Sequence, residues 1–297
     1  MNTNGEWRTL GLLGGCYATW LVVTAHADVL GPWLALPLIT LTIILHSSLQ
    51  HEILHGHPFR DEALNAALVF PALGLLIPYG RFKALHLAHH RDANLTDPRD
   101  DPESFYLDPV AWRRLNRPLR AALRFNNTLL GRMILGPAIA TARMYRSDLR
   151  LLAKGDRAVA RAWLLHAVGA LPVVLWLSTV GAVSAAGYAL CAYLGLSILN
   201  VRTFLEHRAD ESVHGRCAIV EDRGLLALLF LNNNFHAVHH ARPNLPWYAI
   251  PRHYRENREH FLALNRNYRF PSYAEVFRRY ALRQKEPVAH PLMPTTA

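Results

Sequence analysis

The sequence predicts an all-α integral membrane protein, with four transmembrane helices and a cytoplasmic helical cap that holds a metal site. Three observations carry this. Lys and Arg are absent between Arg8 and Arg60 and again between Arg161 and Arg202, and each gap has room for two apolar helices of roughly 20 residues, the length that crosses a bilayer core. The basic residues all lie in the remaining segments, in a chain of net charge +10. Eight of the 17 histidines fall into three groups, His51-Glu-Ile-Leu-His55, His86-Leu-Ala-His89-His90 and His236-Ala-Val-His239-His240.

The expected spans are about 9–27, 30–50, 161–179 and 181–201. The first is read as retained, because the tract runs on into a second apolar stretch through Asp28-Val-Leu-Gly-Pro32. Both hairpin loops, around 25–32 and 180–186, carry no Lys or Arg, so the positive-inside rule places the termini and the segments 51–160 and 202–297 in the cytoplasm. All three histidine groups then lie on one side of the membrane, as one site requires.

Between these spans, 65–80 is an apolar stretch broken by Pro71 and Pro78, too short to cross and expected to return as a re-entrant or interfacial helix pair. Residues 91–108 read as an ordered polar loop, or more plainly as a solvated acidic turn. A basic amphipathic helix in the membrane interface fits 129–152. Residues 202–285 are polar with a helical pattern, and the last dozen, rich in Pro and Thr, read as a frayed tail. No linker marks a boundary, so 1–297 is expected to be a single domain.

The positive charge follows the membrane ends, where it sets orientation and meets anionic headgroups; no nucleic-acid recognition motif accompanies it. Cys16, Cys191 and Cys217 are isolated from one another and from the histidine groups, which excludes a disulfide framework and a thiolate metal site.

Histidines three and four apart project to one side of a helix. Eight of them exceed the four ligands of a structural zinc and the three of a catalytic one, so two ions are expected, of a kind that accepts nitrogen: iron, copper or zinc. His26, His166 and His290 stand alone and read as satisfied hydrogen-bonding histidines. The first group also spells His-Glu-x-x-His, the helix signature of zinc proteases with Glu52 as base. That reading leaves the other six clustered histidines without a role.

The three groups resemble the histidine boxes of the membrane fatty acid desaturase and hydroxylase superfamily. Supporting strings are His55-Gly-His57-Pro, His90-Arg with Leu95-Thr-Asp-Pro98, Glu206-His207-Arg, and Pro243-Asn-Leu-Pro-Trp-Tyr248 after the third box. The resemblance covers about 40–255. It implies two irons held by His51, His55, His86, His89, His90, His207, His236, His239 and His240, with His207 filling the place of an additional histidine soon after the fourth span. Thr203 stands where stearoyl-type desaturases carry an Asn, His46 offers an alternative first pairing, and His57 is expected behind the ligands rather than among them. Glu52, Asp92, Asp97 and Glu206 are the expected carboxylate partners of the ligands.

What the resemblance implies for function is O2-dependent attack on an unactivated C–H bond: desaturation of a fatty acyl chain first, hydroxylation or ketolation of a lipid or terpenoid second, zinc proteolysis a distant third. Electrons would come from a ferredoxin, rubredoxin or cytochrome b5-like donor with its reductase, steered by basic residues such as Arg252, Arg255 and Arg258. The expected setting is a bacterial inner membrane with the active site on the cytoplasmic face.

Overall fold

The structure is a computed structural model that describes residues 6–92 and 94–294. In chain order the helices are α1 (Trp7–Ala25), α2 (Ala27–Leu30), α3 (Pro32–Leu54), α4 (Glu62–Leu68), α5 (Tyr79–Arg91), α6 (Pro109–Arg114), α7 (Arg117–Asn126), α8 (Leu129–Ala153), α9 (Arg157–Thr179) and α10 (Ala185–Glu206). A single 3-10 turn at Val213–Arg216 and strand β1 (Ile219–Val220) follow. Short helices α11 (Leu225–Leu229), α12 (His236–Ala241), α13 (Ile250–Glu256) and α14 (Arg258–Leu264), strand β2 (Arg269–Phe270) and helix α15 (Tyr273–Tyr280) complete the described chain. The fold is therefore mostly helical, and the strand pair, parallel with Ile219 opposite Arg269, is a small departure from an all-α reading.

Two compact units are present, Met1–Lys83 with Ile139–Ile198 and Ala84–Ala138 with Leu199–Ala297. The first contains the apolar helices. Three of them, α3, α9 and α10, are long and apolar enough to cross a membrane. α1 coincides with the first expected span as a helix, but Arg8, three glycines and its threonines leave it less apolar than those three, so among the described residues three helices rather than four are long and apolar enough to cross. Leu164, Leu165, Val168, Leu171, Val174 and Leu175 of α9 are exposed, a surface that water would disfavour and lipid would solvate.

Local chemistry sets the ends of these helices. Gly31, at φ +70°, turns the chain into α3, and Pro32 opens the helix where its missing N–H costs nothing. Asp156 caps α9 by accepting from the amides of Ala158 and Val159. Trp20, Ile39, Ile43, Leu73, Val173, Tyr188 and Cys191 form the core between these helices.

The expected helix pair over 65–80 is replaced by one short helix, α4, and an irregular apolar stretch over 69–78. Pro71 and Pro78 each lack an amide hydrogen, and Leu75 adopts φ +57°, so no second helix can form. The carbonyls this leaves free are satisfied by side chains from four helices. Tyr17 donates to Leu68 O at 2.9 Å, Tyr188 to Leu73 O at 2.7 Å, His166 to Leu75 O at 3.0 Å and Tyr145 to Leu76 O at 2.7 Å. Irregular backbone among apolar helices is tolerated only on such terms. The lone His166 is thus a satisfied hydrogen-bonding histidine, as its isolation suggested. The stretch also lies against α9 at Gly169, whose carbonyl accepts from Ala72 N at 3.1 Å.

In the second unit, Ile219, Phe235, Val238, Ile250, Tyr254 and Phe261 form a core under the third histidine box. The tail is not frayed through 294: Leu107 pairs with Ala289, Leu107 N donates to Val288 O at 2.8 Å and His290 N to Leu107 O at 2.9 Å. Its last three residues lie outside the described part of the chain.

A Cβ on Gly169 would stand 2.3 Å from Phe70 O, inside any allowed contact. Gly169→Ala should therefore push the irregular stretch off α9 and cost about 1–3 kcal/mol. Thermal unfolding of the purified protein in detergent measures this, and an unchanged midpoint would contradict the close approach.

Candidate metal centre

Seven of the nine expected ligands lie in the second unit, and the fold brings them together. α5 buries His86 and His89. His207 follows the last residue of α10 and is pinned by its backbone, which bridges Cys217 while Arg208 N donates to Arg216 O at 3.0 Å and Ala218 N to Glu206 O at 2.9 Å. α12 turns Val238 into the core, and with it the rings of His236, His239 and His240 to the opposite side.

The resulting contacts are between ring nitrogens. His207 Nε2 lies 2.9 Å from His89 Nε2 and 3.0 Å from His236 Nε2. His90 Nε2 lies 3.0 Å from His86 Nε2 and 3.1 Å from His239 Nε2. Nitrogens of His89, His207, His236 and His240 all fall within 4.8 Å of one another, a spacing fit for one ion. His240 Nε2 is buried there with no hydrogen-bond partner among the described residues.

The outer nitrogens decide which proton each ring carries. His89 Nδ1 faces Asp101 Oδ1 at 2.7 Å, His86 Nδ1 faces Glu103 Oε1 at 3.0 Å, and His236 Nδ1 faces Asn233 Oδ1 at 3.2 Å and Glu206 Oε1 at 3.4 Å. Oxygen acceptors opposite Nδ1 place the hydrogen there and leave Nε2 of each ring with an outward lone pair. Lone pairs of His89 and His236 thus both point at His207 Nε2, which could donate a proton to only one of them. A cation at their focus satisfies these lone pairs at once, while His89 and His236 keep an N–H held from behind.

The electrostatics agree. Burial, then the neighbouring His89, holds His207 well below the usual histidine range; burial and His240 do the same for His236, and burial and His207 for His240. These rings are neutral, the form that binds metal. His89 is the exception: burial pushes it down, but the Asp101 hydrogen bond together with the charges of Glu103, Asp101 and Glu206 outweighs burial and raises it. Burial raises Glu103, yet the facing His86 and His89 bring its carboxyl well below the usual range.

His51 and His55 lie in the first unit, His51 inside the last two turns of α3 and His55 at its C-cap, with rings 5.0 Å apart. The first box is therefore part of an apolar helix and not wholly past its end. Nearby, His46 Nε2 meets Tyr17 OH at 3.1 Å, while His57 Nδ1 meets Glu6 Oε1 at 3.2 Å and His57 Nε2 lies 3.9 Å from Glu52 Oε1. Thr203 donates to Asn200 Oδ1 at 3.3 Å.

Of the four expected carboxylate partners, Glu206 takes that place, held by Arg202 at 2.9 Å and Asn233 at 3.3 Å. Asp92 and Asp97 do not. Each accepts an amide two residues on, Asn94 N and Arg99 N, and serves a local turn. Their place is taken by Asp101 and Glu103 of the same loop, which face His89 and His86, so this part of the loop is ordered and not a solvated turn. Asp101 is 2% exposed and also accepts from Thr96 N at 2.8 Å and Glu103 N at 2.9 Å. Asn232, Asn233 and Asn234 escaped notice as well, although three successive asparagines ahead of a histidine box are a signal. Asn232 donates to Trp247 O, Asn233 to Glu206 and Asn234 to Val220 O, which together fix the entry to α12.

The profile of the Fatty acid desaturase family matches residues 28–272, and the chain belongs to that family. It is also similar to two proteins named beta-carotene ketolase from Paracoccus sp. strains. One is 24% identical over 261 residues, 80% of this chain and 88% of the relative. The other is 26% identical over 263 residues, 82% and 90% respectively. Those ketolases belong to the same membrane desaturase and hydroxylase superfamily.

Asp101→Asn replaces the acceptor behind His89 with a group of weaker basicity and should lower metal affinity about 10–100-fold. Asp97→Asn touches only a turn and should leave it unchanged. Competition against a graded ferrous chelator compares the two, and equal affinities would show that Asp101 does not support a ligand.

Proposed function

We propose that the chain is an O2-dependent non-haem di-iron oxidoreductase that oxygenates a long apolar substrate, with ketolation or hydroxylation of a terpenoid-like chain ahead of desaturation of an acyl chain. The observation that carries this reading is the convergence of buried imidazoles, among them His86, His89 and His236 with Nδ1 facing an oxygen acceptor. His89, His207, His236 and His240 would hold one iron; the second falls, by the family resemblance, to the remaining histidines of the boxes.

Bound iron would supply activation of O2 and abstraction of hydrogen from an unactivated C–H bond. The protein's part is to keep the rings neutral, to hold their protons outward on Asp101, Glu103, Glu206 and Asn233, and to exclude water with a buried cluster. No carboxylate is needed as a ligand, and an all-imidazole set fits magnesium and calcium poorly. Ketolation is put ahead of desaturation because the two relatives that cover most of this chain are both named for it. An external one-electron donor with its reductase is part of the proposal, as are four spans, a bacterial inner membrane and a cytoplasmic site.

The test pairs metal analysis with product analysis in cells that accumulate β-carotene. Two irons per chain are expected, with a keto product that takes up label from 18O2. New double bonds in membrane acyl chains without labelled product would instead select desaturation. One zinc per chain, with no O2 consumed, would overturn the di-iron reading in favour of proteolysis by the His51-Glu-Ile-Leu-His55 string. Two variants sharpen the choice. His239→Ala should end turnover and lower bound iron, whereas Glu52→Gln should lower activity only about 10–100-fold. A protease would reverse that ranking.

A further inference from the structure

The C-terminal segment makes contacts that neither membrane anchorage nor the core of the second unit accounts for. Lys285 is buried, with 3% of its side chain exposed, and its nearest carboxylate, Glu286, is 4.0 Å away. Burying an ammonium without a close counter-ion is costly, and a solvated position one turn away would avoid it. Lys285 Nζ instead donates to the backbone carbonyl of His207 and to Tyr268 OH at 3.3 Å, and sits 4.6 Å from the centre of the Phe105 ring.

The next residues hold the carboxylate loop. Tyr106 OH donates to Glu286, and it accepts from the amide of Ala209, two residues past His207. Asn127 donates its side-chain amide to Glu286 O and accepts Lys285 N at 3.1 Å. Val288 and His290 bracket Leu107 by backbone hydrogen bonds. His290 Nε2 meets Thr96 Oγ1 at 3.2 Å, and its ring packs edge-on against Tyr106 at 4.9 Å. Thr96 stands at φ +79°, a region that a β-branched residue adopts only when its surroundings force it. Those surroundings are His290, Ser104, which donates to Thr96 O at 2.6 Å, and Asp101, which accepts Thr96 N.

We propose that residues 285–290 position the metal ligands: Lys285 grips His207 by its carbonyl, and the segment from Glu286 to His290 fixes the loop whose Asp101 and Glu103 orient His89 and His86. The inference rests on the metal-centre reading above. The tail acts through other residues and touches no ring that would bind metal, so it is a positioning element. Its strained contact at Thr96 marks where it does so. A loop that moved by a fraction of an ångström would lose the 2.7 Å bond behind His89, and an acceptor lost from behind a ligand weakens binding about 10–100-fold.

The experiment uses the full-length protein in detergent, loaded with Fe(II) or Co(II), beside two variants. Lys285→Met keeps the stem and removes the donor; a chain lacking 288–297 removes the Leu107 and His290 contacts. Both should release iron to excess chelator at least about 10-fold faster than the parent, and both should shift the Co(II) visible absorption bands, which report ligand orientation. His290→Ala, which removes only the Thr96 contact, takes the place of the truncation if that chain does not accumulate. Parental release rates with unshifted bands overturn the positioning role. So does faster release with unshifted bands, because that is the result of general destabilisation. A parental chain that retains neither iron nor cobalt overturns the metal-centre reading and the positioning role with it, whereas a metal-loaded parent matched by both variants overturns the positioning role alone.

Discussion

The requirement that several imidazole lone pairs point into one small volume governs the second unit. An imidazole directs its inner nitrogen only if something fixes the proton on the outer one, so each converging ring needs an acceptor behind it. Those acceptors must themselves be held in place away from water. The consequence spreads outward in steps. His89 needs Asp101, Asp101 needs the amides of Thr96 and Glu103, and Thr96 needs His290. His236 needs Glu206 and Asn233, and Glu206 needs Arg202. His207 has a thiol at this station instead of a carboxylate, with Cys217 Sγ 3.6 Å from Nδ1, a softer and weaker partner.

How much of this could be read from the chain follows from how local each determinant is. The histidine boxes are visible because their spacing of three and four is a helical face written in consecutive residues. Apolar helices are visible for a similar reason, since length and the absence of charge belong to one segment. Glu206 was within reach because it adjoins His207. Asp101 and Glu103 were not, because their partners sit 12 and 17 residues away across a loop whose path no periodicity encodes. Asp92 and Asp97, nearer in sequence to the histidines, drew attention for that proximity alone, yet they spend their oxygens on their own turns. The tail from Glu286 reads as loose because Pro and Thr predominate there, yet its order comes from partners 159 to 194 residues distant, and Lys285 finds its own partner 78 residues away.

The first unit shows the same logic with backbone in place of rings. Gly169 lets the stretch at 70 approach α9, and the stretch is irregular because its prolines forbid a ladder. Helix-borne hydroxyls and one imidazole then do what water would do at a protein surface. Polar residues in these helices are therefore not all candidates for chemistry. Tyr17, Tyr145, His166 and Tyr188 are structural, and His166 illustrates that a histidine within an apolar helix can serve a single carbonyl.

Those four donors have a consequence for biogenesis. The carbonyl of Leu73 and the hydroxyl of Tyr188 that satisfies it are 115 residues apart in the chain. At about 5–20 residues per second, a ribosome leaves that oxygen bare for roughly 6–23 s before its partner exists. During that interval the Leu73 carbonyl has neither a ladder nor its donor, and it cannot rest in hydrocarbon. It must wait in the translocon or at the headgroup layer, so the last of the long apolar helices to emerge releases the irregular stretch into place, and the order of synthesis becomes an order of assembly.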